Sequence, residues 1–259
     1  AIKENSSSTL KSRENNSPIL ESRENNSPTL ESHELKVRIL SAYAIGAKNE
    51  ESHFPCTAGF WVRQQGLAYL VTSGHCALNA TKDPQGYVEF YFKVPGTDQT
   101  SFFGKMTRLE IEPVDRGFIL PFDEYSEYPF IYSHELQTPM FAITDFTRTP
   151  VNFAEGAVLC KSGASTGYSC GRVTSGSVKS ILSNPGYGLF EYDNQIEVST
   201  RCTLGDSGAP VFSYNNPLDL SRTGVNLIGM MVGGKEDENI IVITPLYQIL
   251  DSDMDVVTI

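Results

Sequence analysis

A histidine and a serine each lie in a short segment that suits acyl-transfer chemistry. His75 lies in residues 72–76 (TSGHC), and Ser207 lies in residues 205–210 (GDSGAP). A serine hydroxyl is a poor nucleophile at neutral pH, so it needs a base within hydrogen-bond reach and a third group that fixes the tautomer of that base. His75 and Ser207 are suited to be the base and the nucleophile of such a set.

The residues around Ser207 also suit the stabilisation of negative charge. Gly205 lets the backbone turn so that its own amide and that of Ser207 point at one spot, which predicts an oxyanion hole for a tetrahedral intermediate. Asp115, just ahead of the strand-like run 117–120, offers the carboxylate that orients His75. Glu112 and Asp123 are the alternatives for that role.

Three blocks carry a resemblance to a known family. They are residues 56–76, which lead through a hairpin into the histidine motif, residues 160–171 (CKSGASTGYSCG), and residues 202–207 (CTLGDS). Taken in this order, the chain resembles the trypsin-like serine peptidases of the chymotrypsin fold, and most closely their streptogrisin branch. The resemblance spans residues 39–250 and implies an endopeptidase that hydrolyses peptide bonds through an acyl-enzyme.

The pattern of the chain outside these motifs predicts an all-β domain. Short alternating or apolar runs are separated by Gly, Pro, Asn and Ser, a spacing typical of β-barrels. The resemblance implies two antiparallel six-stranded barrels, with His75 and Asp115 from the first, Ser207 from the second, and the active site in the cleft between them. Residues 245–250 predict a short C-terminal helix, and no regular structure is expected after it.

Five cysteines, two pairs of them closely spaced, favour an oxidising compartment. The resemblance implies disulfides between Cys56 and Cys76 and between Cys160 and Cys170. Closing the first of these loops is worth about 3 kcal/mol in the chain-entropy model. Cys202 is left over, either as a buried free thiol or as a link between two chains.

Asp206 needs a positive partner, because an unpaired carboxylate in a buried turn is costly. In trypsin-type zymogens the freed amino terminus fills this role. In the streptogrisin branch a basic side chain of the middle loop does so, and Lys161 matches that position. The resemblance therefore implies an ion pair between Asp206 and Lys161, and activity that needs no new amino terminus at Ile39.

The pocket for the substrate side chain is assigned through the resemblance. Ser199 and Thr200 stand where trypsin-type enzymes carry an aspartate, so cleavage after Lys or Arg is not expected. Val232, Gly233 and Gly234 would form one wall, and the two glycines leave room for a large side chain. We therefore expect cleavage after bulky apolar or aromatic residues. Val232 is a departure, because the family usually places there a serine that hydrogen-bonds the aspartate of the triad.

Residues 1–38 form a separate, low-complexity tail. A ten-residue repeat rich in Ser, Asn, Glu and Pro places leucine at positions 10, 20, 30 and 40. One leucine per repeat cannot build a core, so the tail is predicted to be disordered. It reads as a solvated leader, a pro-segment, a glycosylated spacer or a binding tail, followed by a peptidase domain at 39–259.

Charge limits the classes of partner. The net charge is −11, and because residues 1–38 hold six basic and six acidic side chains, the whole excess lies in residues 39–259. A domain this acidic does not favour nucleic acid or anionic membranes. No cofactor and no metal are expected, since the histidines lack zinc-site spacing. The resemblance implies protein or peptide substrates, a protein inhibitor as a candidate partner, and a monomer.

A secreted, extracellular glycoprotein is expected. The chain begins with alanine, contains no apolar run long enough to span a membrane, and has the cysteine usage of an oxidising compartment. Four N-glycosylation patterns begin at Asn5, Asn15, Asn25 and Asn79. The second hypothesis for function is a weakly active or inactive peptidase-fold protein that serves as a binding or adhesion module, and Val232, Cys202 and the tail keep it open.

Overall fold

The computed structural model describes residues 37–47, 55–94, 96–122, 125–134, 140–184, 187–215 and 224–259. These residues belong to a unit that spans Leu35–Ile259. The decad repeat, three of the four predicted glycosylation sites and Asp123 lie outside the described residues.

The described residues form eighteen strands, one 3₁₀ turn (Gly74–Ala77) and one short α-helix, α1 (Leu246–Ile249). In chain order the strands are β1 (Val37–Arg38), β2 (Ala44–Ala47), β3 (Cys56–Thr57), β4 (Phe60–Gln64), β5 (Leu67–Thr72), β6 (Val88–Lys93), β7 (Thr100–Glu110), β8 (Arg116–Pro121), β9 (Tyr125–Ser126), β10 (Phe130–Tyr132), β11 (Met140–Phe146), β12 (Val158–Gly163), β13 (Gly167–Asn184), β14 (Gly188–Ser199), β15 (Pro210–Tyr214), β16 (Gly224–Lys235), β17 (Ile240–Pro245) and β18 (Met254–Val256).

The first sheet wraps into a barrel. Its order is β18-β4-β5-β8-β7-β6-β2-β3, and every pairing in it is antiparallel. Strand β2 pairs with both β6 and β3, and β3 leads after two residues into β4. The amide of Gly59 in this short break still donates to the carbonyl of Val71 on β5. Six strand positions therefore follow one another around the barrel, with β3 and β4 sharing one of them.

The second sheet closes completely. Strands β16, β15, β12, β13, β14 and β17 pair in that order, and β17 pairs again with β16. All these pairings are antiparallel. Strands β10 and β11 extend the sheet outside the ring, through a parallel pairing of β11 with β16. The predicted all-β fold of two barrels is confirmed.

Alternation along the strands explains how the barrels pack. In β4, Phe60 and Val62 join a core cluster that draws residues from both sheets, whereas Trp61 between them joins the core of the first barrel. In β5, Val71 and Leu70 divide between the same two clusters. Because successive side chains of a strand point to opposite faces, one strand contributes to its own barrel and to the shared core. A third cluster fills the second barrel with residues that include Ile196, Val211 and Ile243.

The C-terminal residues differ in part from the sequence prediction. The expected short helix is present as Leu246–Ile249. The expectation that no regular structure follows it is wrong, because β18 pairs with β4 in the register Met254 with Gln64 and Val256 with Val62. Three residues carry no periodic signal by themselves, and this strand forms because the edge of β4 is available to it.

Candidate active site

His75 lies on the 3₁₀ turn that follows β5, at the end of the first barrel. A disulfide between its neighbour Cys76 and Cys56, with an S–S distance of 2.08 Å, ties this turn to β3. The backbone amide of His75 donates to Asp115 Oδ1 at 2.9 Å, and His75 Nδ1 lies 2.5 Å from Asp115 Oδ2. Both carboxylate oxygens of Asp115 therefore engage the same histidine.

The environment of the pair sets the state of the imidazole. The side chain of Asp115 is 1% exposed and that of His75 is 21% exposed. With Nδ1–H donating to the carboxylate, Nε2 carries the lone pair and can accept a proton. Burial lowers the pKa of His75, but the charge and the hydrogen bond of Asp115 raise it, and the resulting pKa lies above the ordinary 6.5.

The loop that carries Ser207 is held against β3. Gly205 has a φ of +100°, a conformation that side-chain-bearing residues rarely adopt. Thr57 Oγ1 donates to the Gly205 carbonyl at 2.7 Å, and the Thr57 amide donates to the Ser207 carbonyl at 2.8 Å. Since Cys56 beside Thr57 is joined to Cys76 beside His75, these contacts bring Ser207 and His75 to one place.

Ser207 lies among backbone amides, two of which have no hydrogen-bond acceptor in the described part of the chain. Among the described residues, no hydrogen bond joins Ser207 Oγ to His75 Nε2, and such bonds are often long when no substrate is bound. Within the same part of the chain, the amides of Gly205 and Ser207 donate to no protein acceptor. Both amides are therefore available to a substrate oxygen.

Asp206 lies beside Ser207 and is fully buried together with Lys161. Lys161 Nζ lies 3.3 Å from Asp206 Oδ2, and it also donates to Thr166 Oγ1 at 2.5 Å. Asp206 accepts further hydrogen bonds from Thr166 Oγ1 and from the amides of Ser165, Thr166 and Thr203. Burial lowers the pKa of Lys161, and the charge of Asp206 offsets part of that effect. The structure thus places Lys161, which lies on strand β12 and not in a loop, against the carboxylate that precedes Ser207.

The segment 232–234 offers an open strand edge beside this loop. On one side Gly233 pairs with Val242 and Gly234 with Ile241, both on β17. On the other side β15 pairs only as far as Met230. Beyond it the amide of Gly208 donates to the carbonyl of Met231. Among the described residues nothing pairs with the outer edge of Gly233 and Gly234, which leaves that edge for an extended peptide.

The other predicted pocket residues lie where the chain returns toward Ser207, with Ser199 the last residue of β14 and Thr200 directly after it. Thr200 is buried and its Oγ1 donates to Ser169 Oγ at 3.0 Å, whereas Ser199 is exposed and its hydroxyl donates to the carbonyl of Arg172. Cys202 is the free cysteine of the described chain, and its Sγ lies 2.8 Å from the position that a Cβ atom on Gly234 would take. Of the two hydroxyl residues predicted for the pocket, Thr200 is therefore buried in the protein and Ser199 is on its surface.

Two sets of hydrogen bonds in the site were not predicted from the sequence, those that Thr57 makes and the one from the His75 amide to Asp115. Thr57 was not assigned a role, although its hydroxyl and its amide both hold the Ser207 loop. The replacement of a serine by Val232 raised doubt about Asp115, but Val232 is buried in the core shared by the barrels and the amide of His75 supplies a second anchor for the carboxylate. The sequence does contain one signal for Thr57, because it directly follows Cys56, the residue expected to form a disulfide beside His75.

The cysteines beside His75 are not a metal site. Cys56, His75 and Cys76 place their ligand-type atoms within 4.8 Å of one another, the one such group among the described residues. Both sulfurs are joined in a disulfide, so neither is available as the thiolate that binds zinc. The second predicted disulfide is also present, with a distance of 2.05 Å between the sulfurs of Cys160 and Cys170.

Comparison with known proteins places the fold. No protein-family model matches the chain, and no curated protein matches it. Among solved structures, Protease A of Thermobifida fusca is 20% identical with a TM-score of 0.61, and the match covers 86% of this chain and 100% of that one. The chymotrypsin of Cellulomonas bogoriensis is 18% identical with a TM-score of 0.60 over the same shares of the two chains.

A third solved structure is described as a glutamic-acid-specific serine protease that uses a histidine triad in substrate binding. It is 21% identical to this chain with a TM-score of 0.60, and the match covers 81% of this chain and 95% of that one. At these identities the similarity shows the fold, and the expected chymotrypsin fold of trypsin-like serine proteases is confirmed.

Proposed function

We propose that this protein is a serine endopeptidase in which Ser207 is the nucleophile, His75 the general base and Asp115 the group that orients it. The observation that carries the proposal is the pair of hydrogen bonds from His75 to Asp115, at a place to which the disulfide and Thr57 also bring Ser207. That arrangement supplies the three groups that acyl transfer from a peptide requires.

The chemistry proceeds in two halves. Ser207 Oγ attacks the scissile carbonyl carbon while its proton passes to His75 Nε2, and the carbonyl π electrons move to the oxygen, which the amides of Gly205 and Ser207 stabilise. The imidazolium, paired with Asp115, then gives the proton to the leaving amine as the C–N bond breaks. Water, deprotonated by His75, attacks the resulting ester and releases the carboxylic acid and Ser207.

The open edge at 232–234 would bind the substrate as an added antiparallel strand. Main-chain pairing there would hold the residue before the scissile bond, called P1, between this edge and the segment around Thr200. Thr200 is uncharged, so no acidic side chain there favours Lys or Arg at P1. We propose, from the resemblance, a preference for a bulky apolar or aromatic P1 residue, with Val232 and Ser199 at the margins of the pocket.

The setting that we propose is extracellular. Two disulfides join four of the five cysteines, which fits an oxidising compartment. The described residues include no helix that is long and apolar enough to cross a membrane. Asn79, which begins the one glycosylation pattern within the described residues, is exposed and follows the histidine turn.

A fluorophosphonate probe tests the assignment directly, because it reacts with a serine that is activated by a base and an oxyanion hole. We expect an adduct on Ser207, located by peptide mass spectrometry, in the unaltered protein and in Ser213→Ala, which changes another serine close by in the chain. The adduct should be absent from Ser207→Ala and His75→Ala. No adduct on the full chain or on residues 39–259 would show that the protein is not a serine peptidase, and an adduct only on the shorter form would show that the tail blocks the site.

A further inference from the structure

Strands β13 and β14 form a long hairpin with two distinct faces. Cross-strand pairing sets Leu182 opposite Phe190 and Ser180 opposite Tyr192, so these four residues share one face. Ile181 pairs with Glu191 on the other face and is 57% exposed. The first face is the covered one, since Ser180 and Tyr192 are buried and Leu182 is half-buried.

The covered face packs onto the open strand edge of the candidate site. Leu182 packs against the core cluster that contains Val232. A Cβ atom added to Gly233 would lie 2.8 Å from Leu182 Cδ1, nearer than such atoms approach. The side chain of Leu182 therefore fills the space that a side chain at 233 would take.

The same hairpin also reaches the first barrel. Tyr187 Oη donates to the carbonyl of Leu78 at 2.5 Å, and Leu78 directly follows the turn that carries His75. Tyr192 on the covered face is almost fully buried, and after burial the charges of Asp115 and Glu112 raise its pKa further. The hairpin thus runs from Gly233 of one barrel to the neighbourhood of His75 on the other.

We propose that Leu182, held in place by the Tyr187–Leu78 hydrogen bond, is the wall of the subsite for P2, the substrate residue that precedes P1, and that it restricts this residue to small side chains. The inference rests on the peptidase function proposed above and specifies the substrate of the same site. Leu182 and Tyr187 are not among the pocket residues predicted from the sequence.

The register of the substrate strand places P2 against Leu182. We place P1 opposite Val232, because the carbonyl of the adjacent Met231 binds the amide of Gly208 and so brings this part of the strand edge next to Ser207. The preceding substrate residue then lies opposite Gly233. Residues directly opposite in an antiparallel pair point to the same face, so the P2 side chain points to the side on which Gly233 faces Leu182. Gly or Ala fits there, whereas Leu or Phe meets the Leu182 side chain.

Peptidyl phosphonates with a varied P2 residue test this wall. P1 is fixed as the residue that reacts fastest, P2 is Gly, Ala, Leu or Phe, and the rate constant for modification of Ser207 is measured by mass spectrometry. We expect Ala to react about tenfold or more faster than Leu and Phe in the unaltered protein. Leu182→Ala and Tyr187→Phe should narrow this ratio to about threefold or less, and Ile181→Ala, on the exposed face, should leave it unchanged.

A simple fluorophosphonate without a peptide separates the two possible failures. If it labels Ser207 but the unaltered protein reacts equally with small and large P2 residues, Leu182 does not form the wall, while the peptidase function stands. If Leu182→Ala and Ile181→Ala change the ratio alike, the selectivity is not set by Leu182, and the inference again fails alone. If neither class of probe labels Ser207, the proposed function fails, and the P2 subsite fails with it.

Discussion

The hydroxyl of Thr57 donates a hydrogen bond of 2.7 Å to the carbonyl oxygen of Gly205. The Thr57 hydroxyl oxygen in turn accepts a hydrogen bond from the amide of Ala164 at 3.0 Å, and Thr57 is fully buried. Because the Thr57 amide also binds the carbonyl of Ser207, one residue fixes the backbone on both sides of Asp206. The proposed oxyanion hole is therefore positioned from β3 of the first barrel, although its amides belong to the second.

Thr57→Val should slow catalysis more than it weakens substrate binding. The valine keeps the shape but cannot donate to Gly205, so the amides of the oxyanion hole lose their fixed orientation. We expect kcat to fall by about tenfold, roughly 1.4 kcal/mol of transition-state stabilisation, with KM little changed. Thr57→Ser retains the hydroxyl and should restore kcat. Steady-state kinetics on both variants decide the matter, and a loss of stability with unchanged kcat would assign Thr57 a purely structural role.

The raised pKa of His75 predicts a specific pH dependence. His75 accepts the serine proton only as the neutral imidazole, and Asp115 raises the pKa of His75 above its ordinary 6.5. The value of kcat/KM should therefore rise with pH along an acid limb whose midpoint lies above 6.5. Because the pKa of His75 is higher in the folded than in the unfolded protein, protonation of His75 stabilises the fold. This contribution to the free energy of unfolding is fully present below the unfolded-state pKa and is lost as pH rises through the folded-state pKa. An acid limb at or below 6.5 would contradict the prediction.

Asp115→Asn separates the two effects of the carboxylate. The amide cannot supply the negative charge, so the pKa of His75 should fall and the acid limb should move to lower pH. The amide also no longer fixes the proton on Nδ1, and kcat should drop by about 10⁴-fold. A pH profile of kcat/KM for the variant checks the shift, and circular dichroism shows that the fold is retained. An unmoved limb would mean that another group sets the pKa of His75.

The candidate catalytic residues could be predicted from the sequence, but the residues that hold them in position could not. Ser207, His75 and Asp115 could be singled out because each lies in a short motif of distinct composition. The role of Thr57 could not, since the residue it binds, Gly205, lies 148 positions away and only the packing of the barrels brings them together. The long β13–β14 hairpin was not predicted from the sequence, and contacts such as that of Tyr187 with Leu78 depend on how the barrels pack.

Lys161→Met should destabilise the protein strongly. Lys161 and Asp206 are both fully buried, so loss of the ammonium leaves a carboxylate without its ion-pair partner in a medium of low polarity. Removing one member of such a pair costs about 3–5 kcal/mol. Urea unfolding of the variant measures the change in the free energy of unfolding. Lys179→Met is the matched control, because Lys179 pairs with Glu191 on the exposed face of the hairpin, where both side chains are 56% exposed, and no measurable change is expected.

Fluorophosphonate labelling is a second test of the pair of Lys161 and Asp206. If Lys161 is the partner of Asp206, the full chain should react with a fluorophosphonate without prior cleavage before Ile39. Ile39 is fully buried, and its carbonyl accepts a hydrogen bond from Trp61 Nε1 at 2.9 Å. These contacts hold the backbone of Ile39 in the first barrel, whereas a zymogen-type mechanism would require its freed amino group beside Asp206. Unchanged stability and labelling in Lys161→Met would exclude the role assigned to the lysine.

Thiol titration tests the cysteine assignments together. Two disulfides leave Cys202 as the free thiol, and its Sγ is buried and donates to the carbonyl of Ile240 at 3.4 Å. Burial raises the pKa of this thiol, and the charge of Asp206 raises it further, so little thiolate forms near neutral pH. Ellman's reagent should therefore react slowly with the native protein and detect one thiol per chain in guanidinium without a reductant. Cys202→Ser should give none, whereas three thiols would show that a disulfide is absent, and none in the unaltered protein would show that Cys202 joins two chains.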